Sequence, residues 1–342
     1  MRFITNSSFW IKLTSWEYWP WYMVYIPIFI YWLYCGLKAR AIFYFSAANP
    51  GIRYGGLIGS SKKQILDLIP EKYLPVSVFI QNGTSESQVF ENVENAGLSY
   101  PLIAKPDVGE RGWHVAFIRN SKDMSDYLDH INQDFILQEY LDMPFEAGIF
   151  YYRFPDKEYG TVSSVVVKEM LSITGDGQST FLQLIYQKPR ARFQLKKLEK
   201  KFENELDVVL LAGETRLLEP IGNHSRGTAF LNGNSLINQN LIDVFDKLSK
   251  QIDGFYYGRF DVRCKDEHAL YSGDFKIMEL NGAASEPAHI YAPDYPLVKG
   301  YRSLFHHWRV LYKISRINHR KGIKYMSFRT GLYAIKHSRL FG

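Results

Sequence analysis

The chain has 342 residues, a formal net charge of +6 and an aromatic share of 16%. That length holds two or three compact lobes, and two cysteines, Cys35 and Cys264, exclude a disulfide framework and point to a reducing compartment. The charge is unevenly placed: residues 299–342 carry 11 Lys and Arg and no acid, leaving 30 Lys and Arg against 35 acids before them, a balance of −5.

Tyr18–Leu37 is a run of twenty residues without a charge, followed by Lys38 and Arg40. It is long enough to span a bilayer, and Trp and Tyr at both ends suit an aromatic belt. Pro20 and Pro27 interrupt a spanning helix, and the tyrosines suit the interface, so a monotopic or re-entrant segment is a rival and a buried core helix another. No small-residue cleavage site marks a signal peptide. Membrane contact is the expectation; whether the segment crosses is left open by the residues.

Asn49-Pro50-Gly51 and Gly55-Gly56 then mark loops. Ser60 or Ser61 caps a helix KKQILDLI that ends at Pro70, and Val76–Ile80 reads as a strand. YPLIAKPDVGERGWHVAFI reads as strand, glycine loop, strand. Lys105 closes the first strand, and Gly109 and Gly112 lie in the loop Pro106–Trp113. Such a loop lets backbone N–H groups approach phosphates, with the lysine as a point charge. It lacks the GK[ST] of a Walker loop. SKDMSDYLDHI reads as a capped helix, and DFILQEYLDMPFEAGIFYYRF as two strands around a bend.

In SSVVVKEMLSITGDGQSTFLQLI, Gly175 and Gly177 form a tight turn and Ser179 or Thr180 caps a helix. Lys168 is a candidate phosphate or carboxylate contact; Arg190 is another, against the plainer reading of a solvated helix-end arginine. ARFQLKKLEKKFENELDVVLLAGE reads as a charged, solvated helical segment. Asn223, His224, Arg226 and Gly227 suggest an anion nest, and SLINQNLIDVFDKLSKQIDGFYY an amphipathic helix.

Tyr257–Ala292 reads as a hairpin: RFDVRC, a polar turn, then FKIMELN, both arms alternating with period 2. Arg259 and Asp261 share one face of the first arm, Glu279 and Asn281 one face of the second. If the faces coincide, the oxygen set suits Mg²⁺, which uses one or two carboxylates plus substrate phosphates. The rival is an amphipathic hairpin with a merely solvated polar face. In the tail, Leu304, Trp308, Leu311, Tyr312 and Ser315 lie opposite Arg309, Lys313 and Arg316, as in a helix lying on anionic lipid. No nucleic-acid-binding module accompanies the charge.

Three of these motifs carry a resemblance. The lysine–glycine loop, GDGQSTFLQLI and the DxR…ELN hairpin, in that order over residues 55–295, resemble the ATP-grasp ligases. The nearest branches are the D-alanine–D-alanine ligase-like and the cyanophycin synthetase-like carboxylate–amine ligases. The resemblance implies an α+β fold in which two lobes clamp ATP. It implies that Asp261, Glu279 and Asn281 hold Mg²⁺ (Mn²⁺ as a substitute) and that Arg259 lies near the transferring phosphate. It assigns Lys105, with Gly109 and Gly112, to the nucleotide phosphates and Lys62 or Lys63 to the same task. Glu139, Tyr140 and Leu141 match the adenine hinge, Glu146 the ribose glutamate, and Arg226 the loop at the acyl phosphate. This chain departs from the pattern in having Met143-Pro144-Phe145 where a glycine precedes the ribose glutamate. It departs again after Asn281, where GAASEPAHIYAPDYP replaces a Pro-Gly turn and puts D-alanine specificity in doubt; Glu286 there suits an ammonium group.

The expected organisation is a membrane-associated segment over residues 1–48, a preceding region over 49–100, an ATP-grasp domain over 101–298 and a basic tail over 299–342. Within the domain, residues 101–150 form the nucleotide-clamp lobe and 151–298 the metal and substrate lobe. The expected function is Mg-ATP-dependent ligation of a small-molecule or lipid-linked carboxylate to an amine through an acyl phosphate, at the cytoplasmic face of a membrane, with no nucleic acid as partner. The alternatives are a membrane-attached ATP-binding scaffold without turnover and a kinase that stops at phosphorylation.

Overall fold

The computed structural model describes residues 16–57, 59–109 and 112–337. The outermost parts of the expected N-terminal segment and tail, and Glu110 and Arg111 of the glycine loop, lie outside the described residues.

Two antiparallel sheets organise the chain. The small sheet has the order β1-β4-β2-β3, from β1 (Ser77–Ile80), β2 (Leu102–Pro106), β3 (Ala116–Ile118) and β4 (Phe135–Glu139). The large sheet has the order β11-β10-β5-β6-β9, from β5 (Phe145–Tyr152), β6 (Thr161–Glu169), β9 (Ala229–Asn232), β10 (Tyr257–Cys264) and β11 (Phe275–Asn281). A ribbon pairs β7 (Ser172–Thr174) with β8 (Thr215–Leu217). The helices are α1 (Trp21–Ala39), α2 (Lys62–Leu66), α3 (Glu86–Asn95), α4 (Ser121–Leu128) and α5 (Phe181–Gln187). They continue with α6 (Pro189–Arg192), α7 (Leu195–Lys201), α8 (Gln239–Ser249), α9 (Glu267–Ser272), α10 (Leu297–Arg320) and α11 (Phe328–His337).

Alternation along each strand sends one set of side chains into a core. Leu102, Ala104, Phe135 and Leu137 of the small sheet pack on Val89 of α3 and Met124 of α4. Ile149, Phe260, Val262 and Ile277 of the large sheet pack on Leu241, Phe245 and Leu248 of α8. Burying each such side chain contributes about 1.5–3 kcal/mol, and Phe260→Ala, which also leaves a cavity, would open this layer at about 3–5 kcal/mol. Helix α8 forms where its periodicity places it, capped by Asn238, whose Oδ1 accepts from Leu241 N at 3.0 Å. In the GDG segment Thr180 makes a capping box with Gln183.

Four expectations meet a different arrangement. The connection between β10 and β11 is the short helix α9, because Asp266 caps it (Oδ1 from Ala269 N, 2.8 Å), Gly273 ends it at φ 81°, and Ala269 and Leu270 enter the core. A boundary at residue 100 cuts the small sheet, since β1 pairs with β4. The bend after β4 is the crossing from one sheet to the other, so β5 belongs to the large sheet rather than the first lobe. The tail's apolar face is buried inside the protein: Leu304, Leu311, Ile314 and Ser315 are covered, and Asn318 Nδ2 donates to Ala47 O (2.9 Å) and Ala48 O (3.2 Å).

Helix α1 packs on α10 through Val24, Tyr25, Ile28 and Cys35. Its opposite face is apolar and exposed, with Met23, Ile26, Ile30, Leu33 and Leu37 in one stripe. Among the described residues it is the one helix long and apolar enough to cross a membrane.

Candidate active site

The face of the large sheet turned away from α8 is charged. In the register of β10 and β11, Arg259 stands opposite Asn281 and Asp261 opposite Glu279. On the other side of β10, Asp261 faces Gly148 and Arg263 faces Glu146, which in turn faces Lys168 on β6. The two carboxylates and the amide foreseen on a shared face do share it.

These groups form an alternating chain of charge. Arg259 donates Nε to Asp261 Oδ1 (3.1 Å) and Nη2 to Oδ2 (3.0 Å). Lys168 Nζ lies 3.6 Å from Asp261 Oδ1 and 2.8 Å from Glu146 Oε1. Arg263 Nε donates to Glu146 Oε2 at 2.8 Å, and its Nη1 to Leu141 O at 2.6 Å. Burial pushes the Asp261 carboxyl up, but Arg259 and Lys168 outweigh it and hold it below the usual range. Burial likewise pushes Lys168 down, and Asp261 and Glu146 reverse the shift. Glu279 stands apart: its carboxylate makes no hydrogen bond or ion pair among the described residues.

Gly148 makes the chain possible. A Cβ there would lie 2.9 Å from Asp261 Oδ1, 3.1 Å from Arg259 Cδ and 2.8 Å from Val166 Cγ1. The guanidinium–carboxylate pair lies across the bare backbone of β5.

The small sheet contributes from the other side. Lys105 Nζ donates to Gln138 Oε1 (2.5 Å) and to Met278 O (2.9 Å), at the register shift in β11 beside Glu279. Burial pushes the Lys105 ammonium down to about 8, against the pull of Glu279. Lys62 Nζ donates to Gly109 O at 2.8 Å, and Lys62, Lys105 and Glu279 line one small cavity. Lys63 turns outward to Asp67 (2.7 Å). Gly112, at φ 72°, packs on the 223–227 loop, where an added Cβ would meet Asn223 Nδ2 at 2.6 Å. Arg226 Nη2 bridges the same two loops, donating to Gly112 O (3.0 Å) and Val115 O (2.8 Å).

Other candidates have different partners. Glu139 Oε1 accepts from Val76 N at 2.8 Å, and the Tyr140 ring lies between Phe117 and the Arg263 guanidinium. Glu146 is 3% exposed, with one oxygen on Lys168 and the other on Arg263. Arg190 pairs with Glu17, whose carboxylate also lies 3.5 Å from His224 Nε2. Glu286 Oε2 accepts from Tyr291 Oη at 2.8 Å, and burial, then the charge of the same carboxylate, pushes the Tyr25 hydroxyl of α1 up. His289 Nδ1 and Ser164 Oγ are 2.6 Å apart, and burial pushes the imidazole down to about 4.

Sequence reasoning passed over Arg263, Gly148 and Asn49. Arg263 continues the Arg259, Asp261 alternation by one more step, and a glycine among the bulky residues of EAGIFYY signals a close approach. Asn49 is fully buried; its amide donates to Gly55 O and Tyr257 O and accepts from Tyr256 N and Tyr257 N, fastening the 49–57 loop to β10.

Among the described residues no three His, Cys, Asp or Glu side chains converge on a metal cage. Asp261, Glu279 and Asn281 fit instead a hard cation that arrives with phosphates, since such an ion takes one or two carboxylates and keeps its other positions for water and phosphate oxygens.

No protein-family model matches the sequence, and no curated protein does. Among solved structures the chain is similar to the VanG D-Ala:D-Ser ligase from Enterococcus faecalis, at 16% identity and a TM-score of 0.41 over 74% of this chain and 61% of that one. It is similar to a D-alanine–D-alanine ligase from Bacillus anthracis at 14% identity and TM-score 0.41, over 76% of this chain and 67% of that one. It is also similar to a bifunctional glutathione synthetase from Pasteurella multocida at 14% identity and TM-score 0.37, over 72% of this chain. It spans 61% of the first of these proteins and 36% of the glutathione synthetase.

Proposed function

We propose that the protein is a Mg-ATP-dependent ligase that joins a carboxylate to an amine through an acyl phosphate. The observation that carries this reading is the meeting of Lys62 and Lys105 with Glu279, beside Asp261, from three distant stretches of chain. Asp261, Glu279 and Asn281 would hold Mg²⁺, which neutralises phosphate charge when bound. Lys62 and Lys105 are the cations on the nucleotide side. Arg259 and Lys168, fixed on Asp261, face the place where negative charge builds during phosphoryl transfer, and Arg226 ties the glycine loop over it. In the first step a carboxylate oxygen takes the terminal phosphoryl group and ADP leaves. In the second the amine attacks the acyl carbon, phosphate departs, and the amine loses a proton. No side-chain nucleophile is needed.

We place this activity at a membrane surface. One face of α1 is buried on α10 while the other offers an apolar stripe to its surroundings, which suits a helix lying in the interfacial plane better than one surrounded by lipid. The substrates are small or lipid-linked carboxylates and amines.

The test is ATP turnover by detergent-purified protein with Mg²⁺, wild type beside Glu279→Gln, against amino-acid pools and membrane extract. Stimulated release of ADP and phosphate, lost in the variant, establishes the reading. Binding of ATP without stimulation by any pool moves it to a scaffold, and a phosphorylated product without an amide moves it to a kinase.

A further inference from the structure

The C-terminal end of α1 is tied through Arg316 to the lining of a cavity that the proposed reaction does not use. The cavity, about 390 Å³, lies between α10 and the β5–β6 connection. Lys157, Lys313, Arg316 and Arg320 line it around the rings of Phe154 and Tyr312, with Asp156 as the one acid. Lys313, Arg316 and Arg320 are three and four residues apart, so one side of α10 presents them together. None of the four cations forms an ion pair among the described residues.

The cavity is joined to the apolar helix. Arg316 Nη1 donates to Lys38 O at 2.9 Å, at the end of α1, and Lys38 Nζ stands 4.8 Å over the Tyr34 ring. Leu37, one residue earlier, is 75% exposed. The stripe from Met23 to Leu37 runs about 21 Å along the helix at 1.5 Å per residue. A free anion would use the cavity alone and leave that stripe in water. A molecule with a phosphate at one end and acyl chains at the other covers both. Phosphate oxygens accept strong charge-assisted bonds from Arg and Lys, and the chains replace water along the helix.

We propose that this cavity is a headgroup site for an anionic phospholipid, whose phosphate is taken by Lys157, Lys313, Arg316 and Arg320 while its chains lie along Ile30, Leu33 and Leu37. The proposal rests on the membrane reading of α1 and not on the ligase reading.

The test is co-sedimentation of the full-length protein with phosphatidylcholine vesicles, with and without phosphatidylglycerol. Lys313 and Arg320 are both exposed, so Lys313→Gln with Arg320→Gln leaves the fold intact. The control pair is Lys324→Gln with Arg329→Gln, exposed and outside the cavity. The expected result is preference for the anionic vesicles, weakened roughly 30-fold by the cavity pair and clearly less by the control pair. Equal loss from both pairs overturns the site in favour of a diffuse surface charge. Equal binding of wild type to both vesicle types overturns the headgroup site and leaves the membrane reading standing. Absence of binding to any vesicle overturns both. Stabilisation of the protein by inorganic phosphate alone, with vesicle binding unaffected by the cavity pair, makes it a site for free anions and also overturns the proposal.

Discussion

Lys105 reaches out of the small sheet to donate to the carbonyl of Met278, 2.9 Å away and one residue before Glu279. This bond makes the ammonium a fixed point between the two sheets, and burial has pushed its proton affinity down to about 8. The sign follows directly. Above that pH the ligand-free protein carries Lys105 neutral, and a bound polyphosphate must bring the proton back. ATP affinity is therefore expected to fall as pH rises through 8, by up to about tenfold per unit, until the nucleotide-bound lysine itself titrates. In Lys105→Arg, whose side chain stays charged, this dependence is lost even if affinity at pH 7 drops. Titration calorimetry across this pH range checks it.

Asp261 and Glu279 face each other across two strands, yet their substitutions should separate stability from activity. Asp261→Asn leaves Arg259 and Lys168 buried without their shared anion and is expected to cost about 3–5 kcal/mol. Glu279→Gln removes a carboxylate that makes no hydrogen bond or ion pair among the described residues and should shift stability by no more than about 0.5 kcal/mol. Both should abolish ATP turnover. Urea unfolding beside a turnover assay distinguishes them, and a large stability loss in Glu279→Gln would contradict the open carboxylate.

Gly148→Ala adds one methyl under the Arg259–Asp261 pair, at 2.9 Å from the carboxylate. The expected cost is about 1–3 kcal/mol, with turnover falling at least tenfold (about 1.4 kcal/mol on the barrier) because the guanidinium is lifted off the sheet. Thermal unfolding and kcat of the purified variant measure the two effects.

Ile30→Asp and Leu33→Asp alter side chains that are 65% and 46% exposed. Folding stability should change by no more than about 0.5 kcal/mol, while vesicle binding is lost. Circular dichroism melting and flotation on vesicles report the pair of outcomes.

Strands β10 and β11 were readable because alternation in RFDVRC and FKIMELN fixes which side chains share a face, and the register then aligned Asp261 with Glu279. Lys62 was harder to place. Its role depends on α2 meeting the glycine loop, a contact across 47 residues that no local pattern encodes. Gly148 and Arg263 were present in the same alternation, but their meaning lies in what crosses them from the neighbouring strand. The tail shows the opposite failure. Its amphipathic pattern identified α10 correctly, while the partner of the apolar face was protein, because Ala47, Ala48 and α1 come from the far end of the chain. Residues 265–274 looked like a turn for their polarity, and Asp266 and Gly273 used that polarity to start and stop a helix.

Tyr25 gives the apolar helix a mechanical connection to the chemistry. Its buried hydroxyl lies in the field of the Glu286 carboxylate, and the backbone oxygen of that residue accepts from Arg259 Nη1 at 3.4 Å. The Glu286 residue thus stands between helix α1 and the guanidinium on Asp261. On the proposed membrane seating and the proposed phosphoryl transfer, a tilt of α1 would reach Arg259 through Glu286, so the seating of the helix would set the timing of the reaction as well as its address.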